Sequence, residues 1–172
     1  RWPIFKPLIF VSFGVKRSFA NEPLTVSGFS YPLKNPEEIG DAVRTRIGVR
    51  IYNHDPAMAP PGKTVVTVIL PSEHEYWKKL AEDRERYLDK KKEIADKILY
   101  HLDQRFPGFA SQVEVTDVAT PLTFERYTGN WQGSFEGWLI TPENSYVMTK
   151  PMSQKLPGLE NFYMCGQWVE PG

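Results

Sequence analysis

The stretch TVVTVIL (64–70) is the strongest strand signal in the chain and decides the fold class. Its run of β-branched and apolar residues predicts a central strand of a sheet. The preceding segment RIGVRIY (46–52) alternates apolar and polar residues, which predicts a half-buried strand. The loop HDPAMAPPG (54–62) joins the two segments, so the strands are most simply antiparallel neighbours.

Further elements are predicted upstream of these two strands. Residues 7–16 are rich in apolar side chains and predict a strand that is buried on both faces at first and on one face later. The segment TVSGFSYPL (25–33) is a second strand candidate. Asn35 could cap a helix whose first residue is Pro36, and Gly40 would end it after a short turn.

Downstream of the central strand, the sequence predicts a long amphipathic helix. Ser72 and Glu75 have the spacing of a capping box, and apolar residues then recur with a period near 3.6 as far as Leu102. The charged stretch 82–86 interrupts this pattern and predicts either a break or a solvated turn. Pro107 and the glycine after it end the helix.

The remaining elements are short. Residues 113–118 predict a strand, and Thr120 and Pro121 fit the N-cap and first position of a helix that ends at Gly129. Residues 161–167 are mostly apolar and predict a last strand.

Composition excludes several classes of protein. The chain has 172 residues, of which 41% are hydrophobic, which is enough for one sizeable core. Its 21 Lys and Arg residues balance its 21 Asp and Glu residues, so neither a nucleic-acid partner nor a polybasic membrane module is expected. The single cysteine excludes an internal disulfide framework and any multi-cysteine zinc site. The longest apolar runs are far shorter than the roughly 18 residues needed to cross a bilayer.

For the histidines, the cysteine and the main charge run, a structural role is favoured over a chemical or binding role. His54, His74 and His101 lack the spacing of metal ligands, so they are expected to be surface or capping histidines and no metal is predicted. Cys165 lies in the predicted terminal strand, where a cysteine is usually a small buried apolar residue. The charge run 82–93 could be a docking face, but mixed charges at helical spacing usually form a solvated helix surface.

Two stretches carry more specific signals. In RYTGNWQGSFEGW (126–138), a glycine recurs every fourth residue between aromatic side chains. Such glycines either let the backbone approach a flat group beside an aromatic wall or pack the loop against its own domain. The terminal segment with Gly166 could present backbone N–H groups to a phosphate or a ring carbonyl.

The last sixty residues closely resemble the C-terminal part of the phytoene desaturase and carotenoid isomerase family of FAD-dependent oxidoreductases. Two runs carry the resemblance, VEVTDVATPLTFERYTGNWQGSFEGW (113–138) and KLPGLENFYMCGQWVEPG (155–172). The matching positions are Thr120, Pro121, Thr123, Arg126, Tyr127, Thr128, Gly129, Leu156, Pro157, Gly158, Leu159, Asn161, Tyr163, Gly166, Pro171 and Gly172.

The resemblance implies an α+β fold with a largely antiparallel sheet, one long helix and short helices. By the same resemblance, this fold would be the substrate-side domain of a two-domain flavoprotein. Residues 1–118 would supply the sheet and long helix, and residues 119–172 the glycine and aromatic loop and the start of a return to the FAD-binding domain. The sequence contains no GxGxxG turn, so the chain is expected to be a fragment that is inactive and binds no FAD by itself.

For the whole enzyme, the resemblance implies oxidation, reduction or isomerisation of carbon–carbon double bonds in a hydrophobic polyene or related lipid. The partners would be this small molecule and the FAD-binding domain of the same chain, in a cytoplasmic protein that contacts a membrane surface. No acid or base is assigned. The residues expected at the flavin are Gly166, Gln167, Trp168, Glu170, Pro171 and Gly172. Those expected at the substrate are Tyr127, Gly129, Trp131, Gly133 and Phe135.

Two alternatives remain open. The chain could be a self-sufficient, non-enzymatic domain that binds an apolar small molecule or a partner, which its aromatic content and neutral charge allow. The related amine oxidases share the flavin architecture, but the RYTG segment (126–129) favours the polyene group.

Overall fold

A computed structural model describes residues 2–24, 28–150 and 152–169 and shows an α+β fold built on one antiparallel sheet. Within these residues the sheet has five strands in the order β2-β3-β4-β1-β5, and every neighbouring pair is antiparallel. The strands are β1 Leu8–Val15, β2 Phe29–Ile39, β3 Ala42–Ile51, β4 Thr64–Pro71 and β5 Val113–Ala119. The central position of β4 and its antiparallel pairing with β3 confirm the predictions from its sequence.

Along the chain, two helices lie between β4 and β5, and a third follows β5. They are α1 His74–Leu80, α2 Arg84–Arg105 and α3 Pro121–Thr128. The predicted break in the long helix is confirmed, because Asp83 accepts hydrogen bonds from the backbone N–H groups of Glu85 and Arg86 and so caps a new helix. The cap of α3 is also as predicted, with Thr120 at the N-cap and Gly129 left-handed at the C-cap.

The core lies between one face of the sheet and the two helices α1 and α2. Strand β1 alternates strictly between fully buried and half-buried residues, so one of its faces belongs to the core. The buried partners on the helices include Trp77, Ile94, Ile98 and Leu102. On the opposite face of β1, Phe10 meets Phe124 of α3 with ring centroids 5.1 Å apart. Helix α3 thus packs against β1, the strand between β4 and the edge strand β5.

The predicted short helix after Asn35 is wrong, because β2 continues through this segment to Ile39. Glu37, Glu38 and Ile39 pair with β3, and Gly40 turns the chain back with φ +74°. The ladder register shifts between Pro32 and Glu37, and this irregularity accommodates Pro36, which has no N–H to donate. The backbone hydrogen bonds of this segment are therefore made in a tight β-hairpin and not in a helix.

The predicted capping box of Ser72 and Glu75 is also wrong. The N-cap of α1 is Glu73, whose side chain makes no capping hydrogen bond. Ser72 is instead buried, and its Oγ accepts a hydrogen bond of 2.8 Å from Nε1 of Trp77. The backbone N–H of Glu73 donates to Asp41 Oδ2 in the β2–β3 turn. Tertiary contacts thus replace the local cap.

The predicted terminal strand 161–167 does not form. Within the described residues 152–169, Tyr163 forms an isolated antiparallel bridge with Lys155. No strand runs beside the rest of the segment in these residues. Phe162 and Tyr163 are exposed. Cys165 is exposed as well, which corrects the prediction that it is a buried apolar residue.

Candidate functional site

The glycine and aromatic loop starts at the end of α3 and turns back onto the beginning of the same helix. Gly129 ends α3 with φ +69°, and residues Trp131–Gly133 form a short 3-10 turn in which Gln132 is left-handed at φ +55°. A Cβ atom added at Gly133 would lie 2.2 Å from the carbonyl oxygen of Pro121. Gly133 therefore allows a close backbone contact within the domain, which is the second of the two interpretations offered by the sequence.

The structure brings the two stretches of predicted site residues together. The Nε1 of Trp138 donates to the carbonyl oxygen of Trp168 at 2.9 Å, and the two rings meet edge to face at 5.1 Å. Trp168 Nε1 in turn donates to Asn130 Oδ1 at 3.0 Å. A Cβ atom at Gly137 would lie 2.6 Å from the carbonyl oxygen of Gln167. The loop and residues 167–168 thus form one contact surface.

The beginning of the chain forms the other side of this surface. The backbone N–H of Phe5 donates to Gly137 O at 3.0 Å, and Ser134 Oγ donates to Phe5 O at the same distance. The ring of Trp2 meets the ring of Trp138 edge to face at 6.0 Å. Three segments that are distant in sequence therefore hold one another through backbone hydrogen bonds and indole rings.

The residues predicted at the substrate differ in exposure. Tyr127 is 76% exposed, and Phe135 and Trp131 are 49% and 39% exposed, whereas Gly133 is buried. Gly129 is exposed, and a Cβ there would meet no atom within 4 Å. The aromatic side chains thus offer apolar surface, while Gly133 lies beneath it.

The predicted flavin residues are only partly described. Gly166 is exposed with φ +98° and open space around it, and Gln167 and Trp168 are half-buried against the loop. Glu170, Pro171 and Gly172 lie outside the described residues. The sequence contains no GxGxxG phosphate turn, and the carbonyl oxygen of Trp168 already accepts one hydrogen bond within the domain.

A buried histidine beside the loop was missed by sequence reasoning. His74, predicted to be a surface or capping residue, is only 8% exposed at the start of α1. Its Nε2 lies 2.9 Å from Glu125 Oε2 of α3, and its Nδ1 lies 3.5 Å from Glu75 Oε1. His74 and Glu75 line a cleft of about 240 Å³ together with residues that include Ile4 and Gln132. The imidazole thus lies near two carboxylates, and only Nε2 makes a hydrogen bond with one of them.

Metal chemistry finds no support in the described part of the chain. Within residues 2–24, 28–150 and 152–169, no three His, Cys, Asp or Glu side chains come together in a way that could hold a metal ion. In the same residues, no helix is both long and apolar enough to cross a bilayer.

A larger cavity of about 530 Å³ lies between β2 and α2, away from the loop. His101 Nε2 and Glu37 Oε2 are 2.7 Å apart in its wall. The hydroxyl of Tyr31, also in the wall, is buried and has no hydrogen-bond partner among the described residues. Burial raises the pKa of Tyr31 from 10.0 to about 12, and Arg105 opposes part of this shift.

We therefore expect Tyr31→Phe to change the alkaline stability of the protein. The folded state favours the neutral phenol, so ionisation of Tyr31 has no effect on stability well below pH 10 and destabilises the folded state as the pH rises from 10 towards 12. The variant should match or slightly exceed the unsubstituted protein at pH 7, because it removes an unpaired buried hydroxyl, and should lose less stability above pH 10. Urea unfolding at pH 7 and at a pH above 10 tests this. The control is Tyr100→Phe, because Tyr100 carries an exposed phenol in the wall of the same cavity.

The fold and the loop define an α+β domain with an aromatic, glycine-rich surface at one end of an antiparallel sheet. No known protein-family profile matches the chain. Part of it is similar to plant prolycopene isomerases. It is 32% identical over 82 residues to "Prolycopene isomerase 2, chloroplastic" of an Oncidium hybrid cultivar, which covers 47% of this chain and 14% of that protein.

Two further relatives give the same result. The identity is 30% over 82 residues for "Prolycopene isomerase, chloroplastic" of Daucus carota and 29% for the protein of that name from Arabidopsis thaliana. Each match covers 47% of this chain and 13% of the relative. The chain thus spans only a small part of the length of the proteins that it resembles.

Proposed function

We propose that this chain is part of an FAD-dependent oxidoreductase of the phytoene desaturase and carotenoid isomerase family, acting on carbon–carbon double bonds of a hydrophobic polyene. The observation that carries the proposal is the similarity to prolycopene isomerases over 82 residues, which covers 47% of the chain. Exposed aromatic side chains on the glycine loop support it, because sites for apolar ligands are lined mainly by such side chains.

In this proposal the chain supplies the substrate side of the enzyme. FAD would be held mainly by a nucleotide-binding domain elsewhere in the same protein, and the flavin, when bound, supplies the redox chemistry. Tyr127, Trp131 and Phe135 would contact the polyene and exclude water from it. His74, hydrogen-bonded to Glu125, would lie beside this side of the site, in a cleft that Gln132 also lines.

The test compares the isolated chain with the complete protein. We expect the chain, mixed with FAD and passed over a sizing column, to elute without flavin absorbance, since it lacks the phosphate-binding turn. The complete protein should elute with bound flavin and should convert a cis-polyene, while a saturated hydrocarbon of equal length stays unchanged.

Two results would contradict the proposal. A complete protein that binds no flavin and changes no polyene would favour the non-enzymatic binding domain instead. Stoichiometric flavin on the isolated chain would show that these residues hold the cofactor. It would refute the proposal that a separate nucleotide-binding domain is needed to bind FAD.

A further inference from the structure

Three cationic side chains line one cleft between α2 and α3. Arg84 and Lys91 of α2 and Arg126 of α3 contribute to a cleft of about 390 Å³. The other lining residues are Ala81, Tyr87, Leu88, Leu122 and Thr123, so the lining contains no carboxylate. The chain as a whole is neutral, and this cleft is therefore a local concentration of positive charge.

The spacing on each helix explains why these side chains meet. Arg84, Leu88 and Lys91 follow one another at intervals of four and three residues, which places them on one face of α2. Leu122 and Arg126 are four residues apart on α3 and share a face in the same way. Each helix thus contributes cations and a leucine to the same cleft.

These cations differ from others on the same helix in their pairing. Lys92 lies 2.6 Å from Asp96, and Lys97 lies 2.9 Å from Glu93, so those charges are neutralised locally. Arg84, Lys91 and Arg126 form no ion pair with any carboxylate in residues 2–24, 28–150 and 152–169.

Aromatic rings orient two of the cleft cations without neutralising them. Lys91 Nζ lies 5.7 Å from the centroid of the Tyr87 ring, and the guanidinium carbon of Arg126 lies 4.7 Å from that of Tyr127. The Tyr87 ring is itself fixed by a hydrogen bond of 2.8 Å between its hydroxyl and Thr120 Oγ1. Lys91 and Arg126 are thus each positioned beside a ring but remain available to an anion.

We propose that this cleft binds a phosphate monoester carried on an apolar body. A phosphate monoester brings a charge of about −1.5 to −2 and several acceptor oxygens, which suits a cleft lined by three cations. Arginine forms paired hydrogen bonds with phosphate through its planar guanidinium. Leu88 and Leu122 in the same lining provide contacts for an apolar group attached to the phosphate. This site does not depend on the proposed oxidoreductase function.

The experiment uses two probes, because the phosphate could belong to a soluble compound or to a lipid headgroup. The soluble probe is 1-naphthyl phosphate, titrated calorimetrically beside 1-naphthol. The lipid probe is a phosphatidylcholine vesicle with or without phosphatidic acid, assayed by co-sedimentation. Arg126→Glu tests the cleft, and Arg86→Glu is the matched control, because Arg86 is exposed on α2 and does not line the cleft.

We expect one phosphate probe to bind, and Arg126→Glu to weaken its binding by about tenfold or more while Arg86→Glu leaves it nearly unchanged. Binding of naphthyl phosphate identifies a soluble ligand, and binding of phosphatidic acid vesicles alone identifies a headgroup. The proposal is overturned if neither probe binds or if the two charge reversals weaken binding equally. Circular dichroism of both variants checks that they are folded.

Discussion

Gly133→Ala is expected to lower the free energy of unfolding by about 3 kcal/mol, combining left-handed strain with a steric clash. The new Cβ would lie 2.2 Å from Pro121 O and 2.9 Å from its carbonyl carbon, distances that only a backbone shift can relieve. Because Pro121 is the first residue of α3, such a shift would separate the loop from that helix. Urea unfolding followed by tryptophan fluorescence measures the loss.

Gly129→Ala is the matched control for this prediction. Gly129 has a similar φ of +69°, but a Cβ there would meet no atom within 4 Å, so its loss should be only about 1 kcal/mol. Equal losses for the two variants would show that the close contact at Gly133 is unimportant. A bulkier residue at position 133 should also destabilise the fold, because its Cβ would meet the same carbonyl oxygen of Pro121.

Trp77→Ala should have an effect of similar or larger size, about 3–5 kcal/mol, because it removes a fully buried indole. Trp77 is 0% exposed and meets the rings of Tyr76 and Tyr87 edge to face at 5.5 and 5.7 Å. It therefore ties α1 to α2 and to the core of the sheet. Chemical unfolding at neutral pH gives the difference in stability.

A set of smaller changes separates packing from hydrogen bonding at this position. Trp77→Phe keeps a ring but leaves the buried Oγ of Ser72 without its donor, and Ser72→Ala leaves the indole N–H unpaired. Each should cost about 1–3 kcal/mol. If the hydrogen bond matters, the double variant should lose less than the sum of the two single losses. Strictly additive losses would mean that only the ring contributes.

The predictable parts of the fold are those encoded by neighbouring residues. The apolar run of β1, the alternation in β3, the β-branched run of β4 and the Thr-Pro start of α3 were sufficient to place these elements. Local signals also located the break before α2, because the polar interruption includes Asp83, which is a good cap.

The wrong predictions share a different cause. Pro36 and Ser72 both carried local helix signals, but pairing with β3 decided the first position and Trp77 decided the second. These partners are not local motifs, and tertiary contacts override propensity when they satisfy the same groups. The prediction of a strand at 161–167 failed because a tertiary partner is absent there among the described residues. An apolar run does not form a strand without a partner strand beside it.

The candidate site was predictable only in outline. The sequence singled out the glycine loop and the terminal segment, and the structure brings Trp138 and Trp168 together. The pairing of His74 with Glu125, which are 51 residues apart, has no signature in sequence. The cationic cleft was hidden in the same way, because its charges come from two helices that meet only in the folded chain.

The strand order has a consequence for synthesis on the ribosome. β1 is synthesised before its partner strands β4 and β5. Likewise, the carbonyl oxygen of Phe5 accepts a hydrogen bond from Ser134, which is 129 residues further along the chain. Until then the nascent segment LIFVSFGV has no partner and can associate with other chains. The pairing of β1 must therefore wait until β4, and later β5, has been synthesised.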